Sequence, residues 1–138
     1  MGAGRLGEPV SGEIAFMHRL MLALGRRPDV RIWRQNVGTI PVRDEQGRIM
    51  RVFRAGAPKG AADITGYVRP EGWRLEIEVK GPGGVRSVQQ ETFARIVMQG
   101  GCVYALVAYD ATRSIPENVA AGVRVVEAAI AERRRRAA

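Results

Sequence analysis

The chain has 138 residues, 46% apolar and 26% charged, with a formal charge of +8 from 22 Lys and Arg against 14 Asp and Glu, as fits one globular domain with one core and a basic surface. The N-terminal MGAGRLGEPVSGE has no apolar signal-peptide core, the longest strongly apolar run, Cys102 to Tyr109, is too short to span a bilayer, and one cysteine, Cys102, cannot close an intrachain disulfide. A cytoplasmic domain is expected, and the basic excess points to a polyanionic partner, most simply nucleic acid.

Segment 1–10 is Gly-rich and expected to be a flexible lead-in to a single domain over 11–132, with a basic tail over 133–138. Ser11 is placed to cap a helix over about 12–25, with Ile14, Met17, Met21 and Leu24 as its apolar stripe and Gly25 as its stop. Val30 to Val37 reads as a strand and residues 48–54 as another, and Asp44-Glu45-Gln46-Gly47 between them predicts a hairpin. A Gly/Ala/Pro-rich loop then leads to a short strand, Asp63 to Val68, and Arg69-Pro70-Glu71-Gly72 reads as a turn.

Trp73 to Lys80 is the cleanest pattern in the chain. Leu75, Ile77 and Val79 point to one face, and Arg74, Glu76, Glu78 and Lys80 to the other. Gly81-Pro82-Gly83-Gly84 ends it, and Ser87 with Gln90 has the spacing of a capping box for a helix over about 88–99 that buries Phe93, Ile96 and Val97. Gly100-Gly101 stops that helix, and Cys102 to Ala108 reads as a buried strand with Cys102 as a small buried hydrophobe. Pro116 opens a last helix whose stripe is Val119, Val123, Val126 and Ile130 and which ends in Arg133 to Arg136. The strand–helix–strand unit over 73–108 predicts a parallel pair within a mixed sheet.

Asp63 stands at the start of one strand of a hairpin, and Glu78 and Lys80 share a face of the next. Two carboxylates close together repel unless a cation lies between them. Mg²⁺ is bound by one or two carboxylates plus water and substrate phosphate, and Mn²⁺ can substitute. The Val79 backbone carbonyl is placed to be a further ligand. Such an ion polarises a phosphodiester and helps generate hydroxide, while Lys80 positions the water or stabilises phosphate charge. Glu-x-Lys on a strand is also a common solvated charge pair, and the ordered context of Gly-rich loop, hairpin and Gly-Pro-Gly-Gly is what favours chemistry.

Lys59-Gly60-Ala61-Ala62-Asp63-Ile64, then Leu75-Glu76-Ile77-Glu78-Val79-Lys80-Gly81-Pro82, then Ser87-Val88-Gln89-Gln90 with Phe93 and Gly100-Gly101, resembles the VRR-NUC family of the PD-(D/E)XK nuclease superfamily over roughly residues 11 to 110. Ala62 stands where that family often has Pro. The resemblance implies an α/β, restriction-endonuclease-like core, a central mixed β-sheet flanked by helices. It implies metal binding by Asp63 and Glu78, a catalytic Lys80, and roles for Glu13 and Gln90. It further implies a standalone endonuclease acting on branched DNA, including four-way (Holliday) junctions, as a homodimer.

Gln90 and Glu13 also have structural explanations, as a capping-box partner and as an acidic residue in a first helical turn. Lys59, Arg86 and Arg34, with Asn36, are candidates for phosphate contact, and His18 reads as a surface residue. The alternatives are a flap or nicking endonuclease in replication or repair, or a basic nucleic-acid-binding module with an inactive site.

Overall fold

The computed structural model describes residues 12–35 and 38–138; the expected cap Ser11, the lead-in 1–10 and Asn36 lie outside them. In chain order the elements are α1 (Gly12–Gly25), β1 (Val30–Arg34), β2 (Gly38–Arg43), β3 (Ile49–Ala55), β4 (Ile64–Val68), β5 (Trp73–Lys80), α2 (Val88–Gln99), β6 (Val103–Ala108) and α3 (Ile115–Ala137). Four strands form a mixed sheet in the order β1-β4-β5-β6. The first three are antiparallel neighbours, and β5–β6 is the expected parallel pair, reached through α2.

The predicted hairpin exists with a different first strand. Asp44 accepts the N–H groups of Gln46 and Arg48, both at 2.9 Å, and the turn joins β2 to β3 in a separate two-stranded sheet. β1 instead pairs with β4, Ile32 opposite Gly66. A side chain at Gly66 would run into the Arg31 carbonyl, so only glycine lets these strands close.

One face of the main sheet is the core. Ile64, Leu75, Ile77, Val79 and Val107 pack there against Phe16, Leu20 and Leu24 of α1 and Val126 and Ile130 of α3. Each fully buried aliphatic or aromatic side chain contributes about 1.5–3 kcal/mol by leaving water. The α1 stripe is rotated from expectation: Phe16 and Leu20 are buried, whereas Ile14 is exposed and Met21 only half-buried. The helix is apolar on most sides, so periodicity alone does not choose the face.

The second face carries Thr65, Glu76, Glu78 and Tyr104, with α2 against β6. Ala94 is the buried residue of α2; Phe93 and Val97 are half-buried, and Ile96 is exposed. α3 starts at an N-cap, Ser114, and buries Val126 and Ile130 with Val119 and Val123 packed beside them. It runs through Ala137, so Arg133–Arg136 form its last turns. Arg133 stacks on the Trp73 ring at 4.0 Å, and Arg134 pairs with Glu71 at 2.7 Å and Asp29 at 3.2 Å. Among the described residues no helix is long and apolar enough to cross a membrane.

Candidate active site

Glu76 and Glu78 alternate with core residues, as expected, yet neither side chain is solvated. Glu76 is 0% and Glu78 3% exposed. β5 is an interior strand, paired with β4 on one edge and β6 on the other. Glu76 is held by Thr65 Oγ1 at 2.9 Å and by Arg74 Nε.

Asp63 stands one residue before β4. Ile64 faces Ile77, so β4 has no residue to pair with Val79. The Asp63 carboxylate takes that place, its Oδ2 accepting the Val79 N–H at 2.8 Å. In a strand the N–H and C=O of one residue point to the same edge, so the Val79 carbonyl is aimed toward Asp63 too. The Asp63 carbonyl in turn accepts the Gln35 N–H at 2.8 Å, anchoring the loop to the end of β1. Gly60, at φ +89°, lies against the first turn of α2, where any side chain would strike the Gln89 carbonyl. The Gly-rich loop thus docks Asp63 beside α2.

Glu78 is the centre of the cluster. Its Oε1 accepts from Gln90 Nε2 at 3.1 Å and lies 3.9 Å from Lys80 Nζ. Its Oε2, like that of Glu76, is buried with no hydrogen-bond partner among the described residues. Burial pushes the Glu78 carboxyl up to about 8, and the neighbouring Asp63 charge and proton-sharing with Asp63 push the same way, against the pull of Lys80 and Arg86. An orphaned buried carboxylate oxygen costs about 1–3 kcal/mol or more. A proton or a cation at this point would relieve it.

Gln90 closes the expected capping box and also reaches Glu78. Its Oε1 accepts the Ser87 N–H at 2.9 Å and closes the capping box, while its Nε2 holds Glu78. Lys80 is half-buried, and Gly84 folds back onto its stem, where a side chain would collide with the Lys80 Cβ. The glycine therefore serves the lysine directly.

Asp63, Glu78, Lys80 and Gln90 are brought together, with the Arg86 charge acting on Glu78; Glu13 and Arg34 are not. Among the described residues no group of three or more His, Cys, Asp or Glu gathers as a metal cluster, so Glu13 does not join Asp63 and Glu78. Arg34 faces Ile64 in register and shares its face, the core side of the sheet, away from Glu78. Lys59 is exposed in the Gly-rich loop, and His18 is exposed on α1. Cys102 is half-buried rather than enclosed. The donor set of two facing carboxylates, one with an orphaned oxygen, plus the Val79 carbonyl fits a hard divalent cation completed by water and phosphate.

Sequence reasoning missed Tyr104. It pairs with Glu76 in register and therefore shares the Glu78 face, with the Arg86 guanidinium 5.8 Å from its ring centroid. Burial raises the Tyr104 hydroxyl, which also feels the Glu78 and Asp63 charges. A tyrosine within an aliphatic run was the available signal. β6 alternates between buried and more accessible residues, whereas the run VYALVA hides that alternation. In comparisons with known proteins, no family model matches the chain and no curated protein matches it significantly.

Proposed function

We propose that the chain is a metal-dependent DNA endonuclease with a restriction-endonuclease-like core, hydrolysing phosphodiester bonds at Asp63, Glu78 and Lys80. The observation that carries this is the buried Glu78 carboxylate facing Asp63 with one oxygen unpartnered. A purely structural charge pair has no reason to hold two carboxylates together beside a lysine only 3.9 Å from one of them.

Asp63, Glu78 and the Val79 carbonyl would hold Mg²⁺, or Mn²⁺ in its place. The ion, when bound, polarises the phosphate and makes hydroxide accessible near neutral pH. Lys80 supplies a mobile ammonium next to Glu78, suited to hold the attacking water or to balance phosphate charge. Gln90 fixes the Glu78 carboxylate so that its free oxygen stays turned into the site. Arg86 and Lys59 stand on the two glycine-rich loops flanking the cluster, where each can neutralise a backbone phosphate.

The preferred substrate is branched DNA such as a four-way junction, cut by a homodimer whose two-fold axis matches the branch. The β2–β3 hairpin supports the dimer: Ile40, Ile49, Met50, Val52 and Phe53 are all more than half exposed. An isolated hairpin of that kind is marginal in water, and a second copy would cover it.

Labelled four-way junction, flap, duplex and single-stranded DNA, each with Mg²⁺, Mn²⁺ or EDTA, test the assignment. Junction cleavage with either metal and none in EDTA is expected. Binding without cutting on every substrate would refute the nuclease, and equal cutting of all four would refute junction preference alone. Sizing the protein in solution tests the dimer.

A further inference from the structure

Trp33 and Tyr67 lie on the Glu78 face of the sheet. Trp33 pairs with Thr65, and Thr65 with Glu76, so all three share a face with Glu78; Tyr67 is two residues beyond Thr65 on the same side. The two rings meet edge to face, centroids 6.5 Å apart at 63°. Neither is covered: Trp33 is 53% and Tyr67 40% exposed. Arg31 is directly opposite Tyr67 on this face, exposed and without an ion-pair partner among the described residues.

Large aromatic rings left in water on a sheet face lose the burial that normally holds them in a core. Here they are fixed by the strand register, flanked by the exposed Arg31 guanidinium, and set on a chain of charge +8. Strand spacings place Trp33 roughly 12 Å from Glu78, two strands across and two residues along. A polyanion with flat apolar faces is complementary to such a surface. Duplex DNA offers its phosphates but keeps its base faces stacked internally, whereas an unpaired strand offers both.

We propose that Trp33 and Tyr67, with Arg31 at their flank, form a stacking platform for unpaired bases of the DNA strand adjoining the site. This rests on the nuclease reading for its role, because it selects substrates with single-stranded character next to the scissile bond. A flap or an opened junction centre presents such bases, and an intact duplex does not. Arg31 contacts the strand's phosphate, and the rings take bases of any identity, since every base has a stacking face.

The test is run in EDTA, so that binding is read without cleavage. Trp73→Phe leaves Trp33 as the only one of the two tryptophans. Titrating that variant with oligothymidylate is expected to quench its fluorescence. Trp33→Ala and Tyr67→Ala should each weaken binding of a single-strand-tailed duplex at least about fivefold while leaving blunt duplex binding unchanged, and Trp33→Phe should restore most of it. Absent quenching, unchanged binding by both alanine variants, or equal loss on tailed and blunt duplex would each overturn the platform. Cleavage with Mg²⁺ separates the two ideas. Platform binding without any cutting would leave the platform standing and remove the nuclease; cutting with tailed binding untouched by either alanine variant would do the reverse.

Discussion

Asp63 is bound through its side chain to the backbone of Val79, Oδ2 to N–H at 2.8 Å. β4 starts one residue after Asp63, so this contact extends the β4–β5 pairing by a carboxylate where a backbone carbonyl would otherwise stand. It fixes one acidic group against the strand whose next-door residues are Glu78 and Lys80. The sheet therefore sets how Asp63 meets Val79, and the Gly-rich loop sets how it meets α2.

Burying Glu78 beside Asp63 has a cost that pH should reveal. Glu78 titrates near 4.5 in an unfolded chain and is raised to about 8 in the folded one. Between those values the native state keeps a proton that the unfolded state has released, so metal-free stability should fall as pH rises across this window and level off above it. Glu78→Gln should remove that fall and raise the Tm at pH 8 in EDTA by about 3 °C or more. With Mg²⁺ added, wild type should gain Tm and the variant should not. Thermal melts at pH 5 to 9 with EDTA or Mg²⁺ check both; an identical pH dependence in the two proteins would contradict it.

Gln90 joins a helix cap to the site. Gln90→Ala should lose about 1 kcal/mol through the capping box and should slow cleavage well beyond what that destabilisation explains. Gln90→Glu keeps an acceptor for the Ser87 N–H but faces Glu78 with a third carboxylate. It should retain the cap and still cleave poorly near neutral pH. Denaturant melts set beside single-turnover cleavage separate the two roles, and equal activity in all three proteins would leave Gln90 purely structural.

Gly60 should tolerate no side chain. Its φ of +89° and its contact with the Gln89 carbonyl mean that Gly60→Ala must move the Gly-rich loop or α2. A loss of about 1–3 kcal/mol is expected, with weaker Mg²⁺ binding because Asp63 and Gln90 shift relative to each other. Calorimetric titration of metal into the folded variant reads this, and wild-type affinity would refute it.

The C-terminal turns of α3 should matter for stability and not for chemistry. Arg134 reaches Asp29 and Glu71, far away in sequence; Arg27 chiefly, with Arg134 adding to it, holds the Asp29 carboxyl below its ordinary range, and Arg134 does the same for Glu71. Depressed carboxylates add stability above their unfolded values that is lost as pH falls through their folded ones. Arg134→Ala should therefore lower stability at neutral pH, a difference that shrinks in strong salt and below about pH 4. Chemical denaturation at two salt concentrations checks it, with Mg²⁺-dependent cleavage at the wild-type rate.

Much of this was legible in the sequence where local pattern and global fold agree. The alternation of Trp73 to Lys80, the parallel crossover to β6 and the Ser87–Gln90 box all depend on residues close in the chain. The pairing of β1 was not legible, because the Asp44–Gly47 turn pointed to the nearest upstream strand and Pro41 in the middle of β2 masked it as a strand. The burial of Glu76 and Glu78 was equally hidden, since alternation separates faces without saying which is covered. Trp33 and Arg34 exchanged expected importance for the same reason: neighbours in sequence, they point to opposite faces, and only the register of β1 on β4 says which one joins Glu78.

The most direct measurement is single-turnover cleavage of a labelled four-way junction by wild type, Asp63→Ala and Lys80→Ala, all at saturating protein with Mg²⁺. A Mg²⁺-dependent wild-type rate is predicted, with losses of at least about a hundredfold in both variants while junction binding persists. Cleavage by either variant at the wild-type rate, or a rate in wild type that is indifferent to EDTA, would contradict a metal-dependent centre built on Asp63, Glu78 and Lys80.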